Sequence, residues 1–442
     1  MASLPAPFWI AEPRAWLSRV PSGLFGVFAG AMAFGVYFSM YAFRKPFSAA
    51  SFGDVAGVGI DYKSALVIAQ VVGYALAKLI GVRVIAQLPA GARIAGIGAQ
   101  IALAEAALVG FGLVPAPWNI TFLFINGLSL GMVWGMVFAF VEGRRQSELI
   151  GAMLCASFTL ASGVVRSAGK MLLLAGVPQF WMPASTGLLF LPLLLACLYG
   201  LSILPPPSAA DRAERIEREP MGPQARAALV GRFAFGLVAL IAVYVMLTAL
   251  RDFRDDFAAE VWAELGMGDR AEMFTRTETP ISFLVLAALA TLALFRDNVS
   301  ALIANFVLIG LGLAMAGGAS LAYGAGWLGP VVWMTMLGGG LYLAYTPFNG
   351  LLFDRLVAAA GDADRKSGAA HIAVNAGFLI YVADSSGYVG SVALLLVRNF
   401  GGLHLDVVHF LIRVSLITSA LGLGLLAVAA VYFRHRLAGE RA

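Results

Sequence analysis

Long apolar runs, each of roughly 20 residues, recur along the whole chain between Pro, Gly and charged clusters. A run of that length is what a helix needs to cross the hydrocarbon core of a bilayer. The composition agrees, since 60% of the residues are hydrophobic and only 12% are charged, which is too apolar for a water-soluble domain. Transmembrane strands are shorter and alternate apolar with polar residues. The sequence therefore predicts an all-α polytopic membrane protein.

We predict about twelve transmembrane helices. They cover residues 21–50, 64–85, 94–114, 119–141, 149–172, 181–203, 228–251, 279–295, 298–323, 327–353, 368–397 and 407–433. The longest polar stretch on the predicted inner side, within residues 204–227, has mixed charge and is typical of a solvated linker. We therefore expect two pseudo-symmetric six-helix bundles, formed by residues 1–203 and 228–442.

The distribution of Lys and Arg predicts the orientation. Eighteen of them lie on the termini and even-numbered loops, so both termini are expected in the cytoplasm. Five are assigned to outer loops: Lys63, Arg254, Arg270, Arg276 and Arg398. The outer loop 252–279 is acidic, and part of it is expected to form a short amphipathic helix extending span seven. We expect a multi-pass protein of a cell membrane, a bacterial inner membrane, that contacts lipid as a monomer.

Seven basic residues lie inside or at the edges of spans: Arg44, Lys45, Lys78, Arg166, Lys170, Arg251 and Arg413. A charge at the centre of a spanning helix costs about 2.5–3.5 kcal/mol, so it usually faces a polar cavity or a partner. The alternative is that a long side chain reaches the membrane interface. Only Glu105 and Asp384 are acidic within the spans. The surplus of cations predicts a small anionic ligand, because guanidinium groups match phosphate or carboxylate oxygens.

A repeated spacing connects the two predicted bundles. Tyr37 precedes Arg44 by seven residues in span one, and Tyr244 precedes Arg251 by seven in span seven. Seven residues are two helical turns, so each pair is expected to share a helix face. Arg44 and Arg251 are predicted to hold one anion from opposite sides. Further tyrosines and a lysine continue these faces in spans one and two: Tyr41, Tyr74 and Lys78.

Arg166 and Asp384 lie at comparable depths in spans five and eleven, which correspond in the two bundles. We predict an ion pair between them, with either a structural role or a gating and coupling role during transport. Asp384 also belongs to a polar stripe that indicates a hydrated cavity. Tyr342 and Tyr345 in span ten either line this cavity or pack against neighbouring helices.

Other classes of protein are not indicated. The histidines His371, His404, His409 and His435 fall in loops or at span ends and form no metal or catalytic pattern. Without a nucleophile–base constellation, no enzymatic activity, catalytic residue or cofactor is expected. The basic residues form no face beside aromatic residues, so nucleic acid is not an expected partner.

Two segments carry a resemblance to a known family. The run Tyr37-x-x-x-Tyr41-x-x-Arg44-Lys45-x-Phe47, followed by Gly73-Tyr74-Ala75-Leu76-Ala77-Lys78, resembles the organophosphate:phosphate antiporters of the major facilitator superfamily. Leu250-Arg251-Asp252 is similar to the arginine segment of span seven in that family. The resemblance implies a phosphate site made of Tyr37, Tyr41, Tyr74, Arg44, Lys78 and Arg251. It also implies alternating access by rocking of two halves.

The sequence departs from that family at three places. Thr248 stands where the family has a tyrosine one turn before the span-seven arginine, and Arg166 is the polar residue nearest to the family's span-five histidine. The inner loop after span two has Arg83 and Arg93 without the usual aspartate. The resemblance is therefore that of a diverged branch, in which anion binding transfers better than substrate identity.

The leading hypothesis is a secondary active transporter for a small organic anion, a phosphorylated metabolite. Inorganic phosphate and protons are both open as coupling species, and a proton would have to use Asp384 or Glu105. The alternative is a transporter-like membrane sensor, which binds the solute and signals without moving it.

Overall fold

The computed structural model describes residues 8–87, 90–141, 147–206, 223–292, 294–349, 351–367, 376–401 and 406–439. The chain divides into two compact units, an N-terminal unit, Met1–Ile216, and a C-terminal unit, Glu217–Ala442. Most of the predicted linker, residues 207–222, lies outside the described ranges, as do His371 and His404.

All regular structure in the described ranges is helical. The N-terminal unit contains α1 (Phe8–Leu17), α2 (Ser22–Met40), α3 (Tyr62–Gln87), α4 (Ala90–Leu113), α5 (Ile120–Leu130), α6 (Val133–Val141), α7 (Ser147–Leu174) and α8 (Met182–Ser202). The C-terminal unit contains α9 (Pro223–Asp256), α10 (Ala258–Glu264), α11 (Glu272–Leu292), α12 (Asn298–Gly324), α13 (Pro330–Tyr345), α14 (Leu352–Ser367), α15 (Ala376–Phe400) and α16 (Val407–Gly439).

Nine segments in the described ranges are long and apolar enough to cross a membrane. They are Ser22–Phe43, Tyr62–Gly81, Gly91–Leu113, Ile120–Phe138, Met182–Ser202, Val230–Asp256, Asn298–Gly324, Leu379–Phe400 and Val407–Leu437. The other three predicted spans coincide with α7, α11 and α13, which are also helical. The prediction of an all-α polytopic membrane protein is confirmed.

The first predicted span is not one continuous helix to residue 50. The α-helix ends at Met40, and the 3-10 turns Tyr41–Phe43 and Pro46–Ala49 follow. Pro46 has no N–H to donate and its ring would clash with the carbonyl oxygen four residues earlier, so the α-helix cannot continue through it. The helical stripe predicted from Tyr37 through Tyr41 to Arg44 is therefore wrong beyond Met40.

Two other predicted spans are interrupted as well. Span four, predicted as 119–141, divides into α5 and α6 after Leu130. Span ten, predicted as 327–353, leaves the α-helix after Tyr345 and forms the 3-10 turn Thr346–Asn349, which contains Pro347. In both units, a 3-10 turn with a proline in or beside it therefore follows a helix that carries aromatic residues.

Glycines bring α3 and α5 into backbone contact in the N-terminal unit. A Cβ on Gly127 would collide with the Gln70 carbonyl oxygen, and one on Gly131 would lie 2.6 Å from the Tyr74 carbonyl oxygen. Gly73 of α3 meets the Phe124 carbonyl in the same way. Small residues allow spanning helices to approach closely, because packing rather than water exclusion drives their association. This contact supports the turn of α3 that carries Gln70 and Tyr74.

Replacing Gly127 by alanine is expected to destabilise the protein by about 1–3 kcal/mol, because the backbones of α3 and α5 must separate to admit a methyl group. Gly98→Ala in α4 is the matched control, since its Cβ would meet no atom within 4 Å. That control should be neutral or more stable, as alanine favours a helix over glycine by about 0.5–1 kcal/mol. Unfolding in mixed micelles measures both, and equal effects of the two variants would contradict the close approach.

The acidic segment 252–279 contains the expected short helix, α10 (Ala258–Glu264), but both of its ends belong to longer helices and not to a loop. α9 continues to Asp256, as the predicted extension of span seven anticipated, and α11 begins at Glu272. Asp255, Asp256 and Glu278 are 4%, 3% and 2% exposed, so they are core residues. Arg254, assigned to the same loop, is buried with them. Arg254 pairs with its chain neighbour Asp255 and with Glu278 of α11, and a count of loop charges does not reveal such compensation inside the core.

Three further residues assigned to outer loops lie in helices: Lys63 in the first turn of α3, Arg276 in α11 and Arg398 in α15. Lys63 is 1% exposed. Its Nζ donates a hydrogen bond of 3.0 Å to the Ser48 carbonyl oxygen. The hydroxyl of Ser48 in turn donates to the Lys45 carbonyl oxygen at 2.8 Å. Lys63 therefore anchors the turn Pro46–Ala49 and is not a loop residue.

Candidate functional site

Arg44 and Lys78 approach the same aromatic ring in the N-terminal unit. The guanidinium carbon of Arg44 lies 3.9 Å from the centroid of Tyr74, and Nζ of Lys78 lies 5.2 Å from it. Tyr41 is a more distant neighbour, with its centroid 5.9 Å from the Arg44 guanidinium carbon. Cations over aromatic faces gain about 0.5–2 kcal/mol, the larger value where water is excluded. The predicted site residues of spans one and two thus form one cluster.

Backbone carbonyls freed by the end of α2 are bound by side chains of α3 and α5. Nε2 of Gln70 donates to the Arg44 carbonyl oxygen and to Oδ1 of Asn126, both at 2.9 Å. Nδ2 of Asn126 donates to the carbonyl oxygens of Phe43 at 2.8 Å and Ala104 at 3.2 Å. Gln70 and Asn126, which the sequence analysis missed, therefore hold the turn that presents Arg44.

Tyr37 is buried beside this cluster. Its ring makes an edge contact with Tyr41, at a centroid distance of 5.5 Å, and its side chain hydrogen-bonds with that of Tyr74. Tyr37 is therefore connected to Arg44 through the ring of Tyr74. The predicted association of Tyr37 with Arg44 exists, although a shared helix face does not produce it.

The C-terminal unit repeats this arrangement with other helices. The guanidinium carbon of Arg251 lies 3.9 Å from the centroid of Tyr345 in α13. Tyr345 stacks on Tyr244 with centroids 5.2 Å apart, and the two hydroxyls are 3.2 Å apart. Each unit thus contains an arginine over a tyrosine that hydrogen-bonds with the tyrosine seven residues before the arginine. The central tyrosine is Tyr74 in the N-terminal unit and Tyr345 in the C-terminal unit.

Arg251 has a carboxylate partner next to it in the chain. Nη2 and Nε of Arg251 donate to Oδ1 of Asp252 at 2.7 and 3.2 Å. The other oxygen of Asp252 accepts a hydrogen bond of 2.8 Å from the Ser391 hydroxyl in α15. Asp252 and Ser391 were not predicted as site residues. The position of Asp252 next to Arg251 was a signal in the sequence, whereas Ser391 gave none.

Asp384 joins the C-terminal cluster. Its Oδ1 accepts a hydrogen bond of 3.1 Å from the hydroxyl of Tyr244. In the N-terminal unit Arg166 is 1% exposed, and its Nε donates to the Ser162 carbonyl oxygen at 2.8 Å. The predicted pairing of Arg166 with Asp384 stays a prediction.

The remaining basic residues of the predicted spans have different surroundings. Lys45 is 7% exposed at the start of a 3-10 turn, Lys170 is half-buried and Arg413 is exposed. Thr248, which stands where the organophosphate:phosphate antiporters have a tyrosine, is buried. It packs so closely against Gly387 that a Cβ on this glycine would lie 3.0 Å from the threonine side chain. The exposure of Arg413 therefore agrees with the alternative that its side chain reaches the membrane interface. The burial of Thr248 agrees with a role in helix packing.

An exposed cluster of Glu264, Asp406 and His409 brings potential metal-ligating atoms within 4.8 Å of one another. Its carboxylates already bind the N-terminus of α16: Glu264 accepts from the N–H groups of Val407 and Val408, and Asp406 from that of His409. Burial and hydrogen bonding with Asp406 raise the pKa of Glu264. Helix capping accounts for this cluster.

Solved membrane transporters share this fold. The peptide transporter POT is 14% identical over 94% of this chain and 95% of its own, with a TM-score of 0.60. The nucleoside transporter NupG is 13% identical over 92% and 99%, with a TM-score of 0.59. A POT family transporter in complex with a thioalcohol conjugated peptide is 14% identical over 94% and 97%, with a TM-score of 0.56. The chain therefore has the fold of these solved transporters.

The sequence also assigns the chain to a family. The profile of DUF5690, a family of unknown function, matches residues 46–436, and the chain belongs to that family. No curated protein matches the sequence. At the identities above, the similarity to the solved transporters concerns the fold, so the residues of the two clusters must carry any argument about the solute.

Proposed function

We propose that this protein is a secondary active transporter for a small organic anion, a phosphorylated metabolite, and that it works by alternating access. Arg44 and Lys78 supply the principal anion ligands, with Tyr37, Tyr41 and Tyr74 around them. Arg251 supplies the second guanidinium group. Arg166 and Asp384 serve gating or coupling.

The observation that carries the proposal is the Tyr–Tyr–Arg arrangement present in each unit. In both cases the guanidinium carbon is 3.9 Å from a tyrosine centroid, and that tyrosine hydrogen-bonds with a second, buried tyrosine. An arginine held over a ring keeps its planar fork in one orientation, which suits bidentate binding of phosphate oxygens. Repetition in both halves is what transporters built from structural repeats use for a shared substrate.

The distribution of charge refines the proposal. Of the charged residues assigned to spans in the N-terminal unit, one is acidic, Glu105, and five are basic: Arg44, Lys45, Lys78, Arg166 and Lys170. In the C-terminal unit, Asp252 contacts Arg251, and Asp255 and Glu278 contact Arg254. Arg44 and Lys78 share one ring, and two positive charges this close favour an anion beside them. An anion that reaches Arg251 must exchange with Asp252.

Binding to the purified protein tests the proposal. We expect glycerol phosphates, sugar phosphates and inorganic phosphate to bind, while a neutral nucleoside and a dipeptide of zero net charge do not. Isothermal titration calorimetry at low and high salt measures this, and the affinity for phosphates should fall as salt screens the cations. Binding of the nucleoside or the dipeptide in preference to every phosphate would contradict an anion site.

Counterflow in proteoliposomes then separates transport from sensing. Vesicles preloaded with an unlabelled ligand identified above should accumulate the labelled ligand against its gradient. A sensor would bind the same compound without accumulating it, so binding without counterflow would exclude the transporter. Carboxylates in the same screen distinguish a phosphate site from a general site for organic anions.

A further inference from the structure

Glu105 is a titratable residue that the two clusters do not use. It lies within α4, and both oxygens of its carboxyl group are buried without a hydrogen-bond partner among the described residues. Its Oε2 lies against Gly187 of α8, where a Cβ would collide with it. The same Cβ would be 2.9 Å from the ring of Phe43. The absent side chain of Gly187 thus leaves the space that the carboxyl group fills.

Among the described residues, the elements with the most extensive contacts to α4 bring no charged side chain to this position. They are α5, α6, α8 and the turn Tyr41–Phe43, and none of them contains Asp, Glu, Lys, Arg or His. Their titratable groups are engaged elsewhere: Tyr41 contacts Tyr37 and Arg44, Cys197 lies against Gly35 of α2, and Tyr199 donates to the Trp9 carbonyl oxygen. On α4 itself, Arg93 lies three turns away.

An ionised carboxylate in such a place is strongly unfavourable, because it has lost water and gained neither donors nor a cation. A protonated carboxyl group avoids that cost. We infer that Glu105 is a proton-binding site, occupied in this conformation, and that loss of its proton is linked to the turn that carries Arg44. That linkage bears on solute transport only through the proposed function, whereas the proton site itself does not depend on it.

The link to Arg44 is short. Nδ2 of Asn126 donates to the Phe43 carbonyl oxygen at 2.8 Å and to the carbonyl oxygen of Ala104, which adjoins Glu105, at 3.2 Å. Phe43 also contributes its ring to the wall beside the carboxyl group. When Glu105 ionises it must move towards water or a cation, and the contacts of Phe43 and Asn126 change with it.

Infrared spectroscopy of the full-length protein tests the proton site. At neutral pH the wild type should show the carbonyl stretch of a protonated carboxylic acid, which Glu105→Gln lacks in a difference spectrum. Glu12→Gln, which removes an exposed carboxyl group in α1, should leave that band unchanged. Gly187→Ala, which crowds the same group, should shift it. A band that is unchanged in both Glu105→Gln and Gly187→Ala would overturn the assignment. If Glu105→Gln does not fold, the band of Gly187→Ala alone decides the test.

Hydrogen exchange tests the linkage without any solute. The pH is raised across the range in which the carboxylic acid band disappears. Over that range, amide hydrogen exchange in the segment 41–49 should become faster in the wild type than in Glu105→Gln at the same pH. Equal exchange in the two proteins would overturn the linkage. Binding of inorganic phosphate to the same samples identifies which idea fails, because absence of binding contradicts the proposed anion site and leaves the infrared band and the exchange result unaffected.

Discussion

Replacing Arg44 by alanine is expected to weaken binding of organic phosphates by about 10- to 150-fold, because charge-assisted hydrogen bonds contribute about 1.5–3 kcal/mol. Arg44→Lys keeps the charge but loses the planar fork, so its affinity should fall between those of the wild type and the alanine variant. Tyr74→Leu should also weaken binding, because it removes the ring that orients the guanidinium. Calorimetric titration of the ligands found in the screen measures each change.

Arg413→Ala is the matched control, since it removes an exposed arginine from another spanning helix. Its affinity for phosphates should equal that of the wild type. Arg251→Ala should weaken binding less than Arg44→Ala, because Asp252 already engages Arg251. Asp252→Asn should strengthen binding for the same reason. If Arg251→Ala and Asp252→Asn both bind as the wild type does, a site shared by the two arginines is wrong.

The second large effect concerns the buried ion cluster of the C-terminal unit. Nη1 of Arg254 contacts Asp255 at 2.9 Å and Glu278 at 2.8 Å, and Nη2 donates to the Met334 carbonyl oxygen at 3.0 Å. The hydroxyl of Tyr342 donates to the other oxygen of Asp255 at 2.8 Å. A side chain on Gly338 would collide with the Arg254 guanidinium, so the glycine provides its space.

Arg254→Met is expected to destabilise the protein by about 3–5 kcal/mol, because two buried carboxylates lose their cation. Arg276→Met changes an exposed arginine of α11 and should alter stability by less than about 0.5 kcal/mol. Unfolding in mixed micelles measures both. Adding Asp255→Asn and Glu278→Gln to Arg254→Met should restore part of the loss, since no buried charge then remains uncompensated. A triple variant no more stable than Arg254→Met would contradict this account.

Much of the architecture follows from the apolar runs alone. In a bilayer every backbone N–H and C=O must bond internally, so a run of about 20 apolar residues has little choice but to form a helix. That constraint explains why each of the twelve predicted spans contains an α-helix. The places where helices stop inside a predicted span, at Met40, Leu130 and Tyr345, were missed. Pro46 and Pro347 were visible signals, but the side chains that donate hydrogen bonds to the freed carbonyl oxygens come from distant helices.

The candidate site was predictable to a smaller extent. The spacing of Tyr37 to Arg44 and of Tyr244 to Arg251 indicated matched positions in two halves, and the grouping of Tyr74 with Lys78 placed both in one cluster. Tyr345 was named only as one aromatic residue of span ten, although its ring is the one that Arg251 lies over in the C-terminal unit. Gln70, Asn126 and Ser391 gave no signal, since an isolated polar residue in a span does not reveal which carbonyl or carboxylate it meets.

The sequence by itself determined that this chain is a bundle of membrane helices with basic residues inside it, because hydrophobicity and charge are local properties. Only the tertiary structure decided which of those cations are compensated. Arg254 and Lys63 became buried structural groups, and Arg251 acquired Asp252. The energy of a charge in a low-dielectric interior depends on neighbours within a few ångströms, and packing rather than sequence distance brings those neighbours together. Arg44 and Lys78 at the ring of Tyr74 are the result on which the proposed anion site now depends.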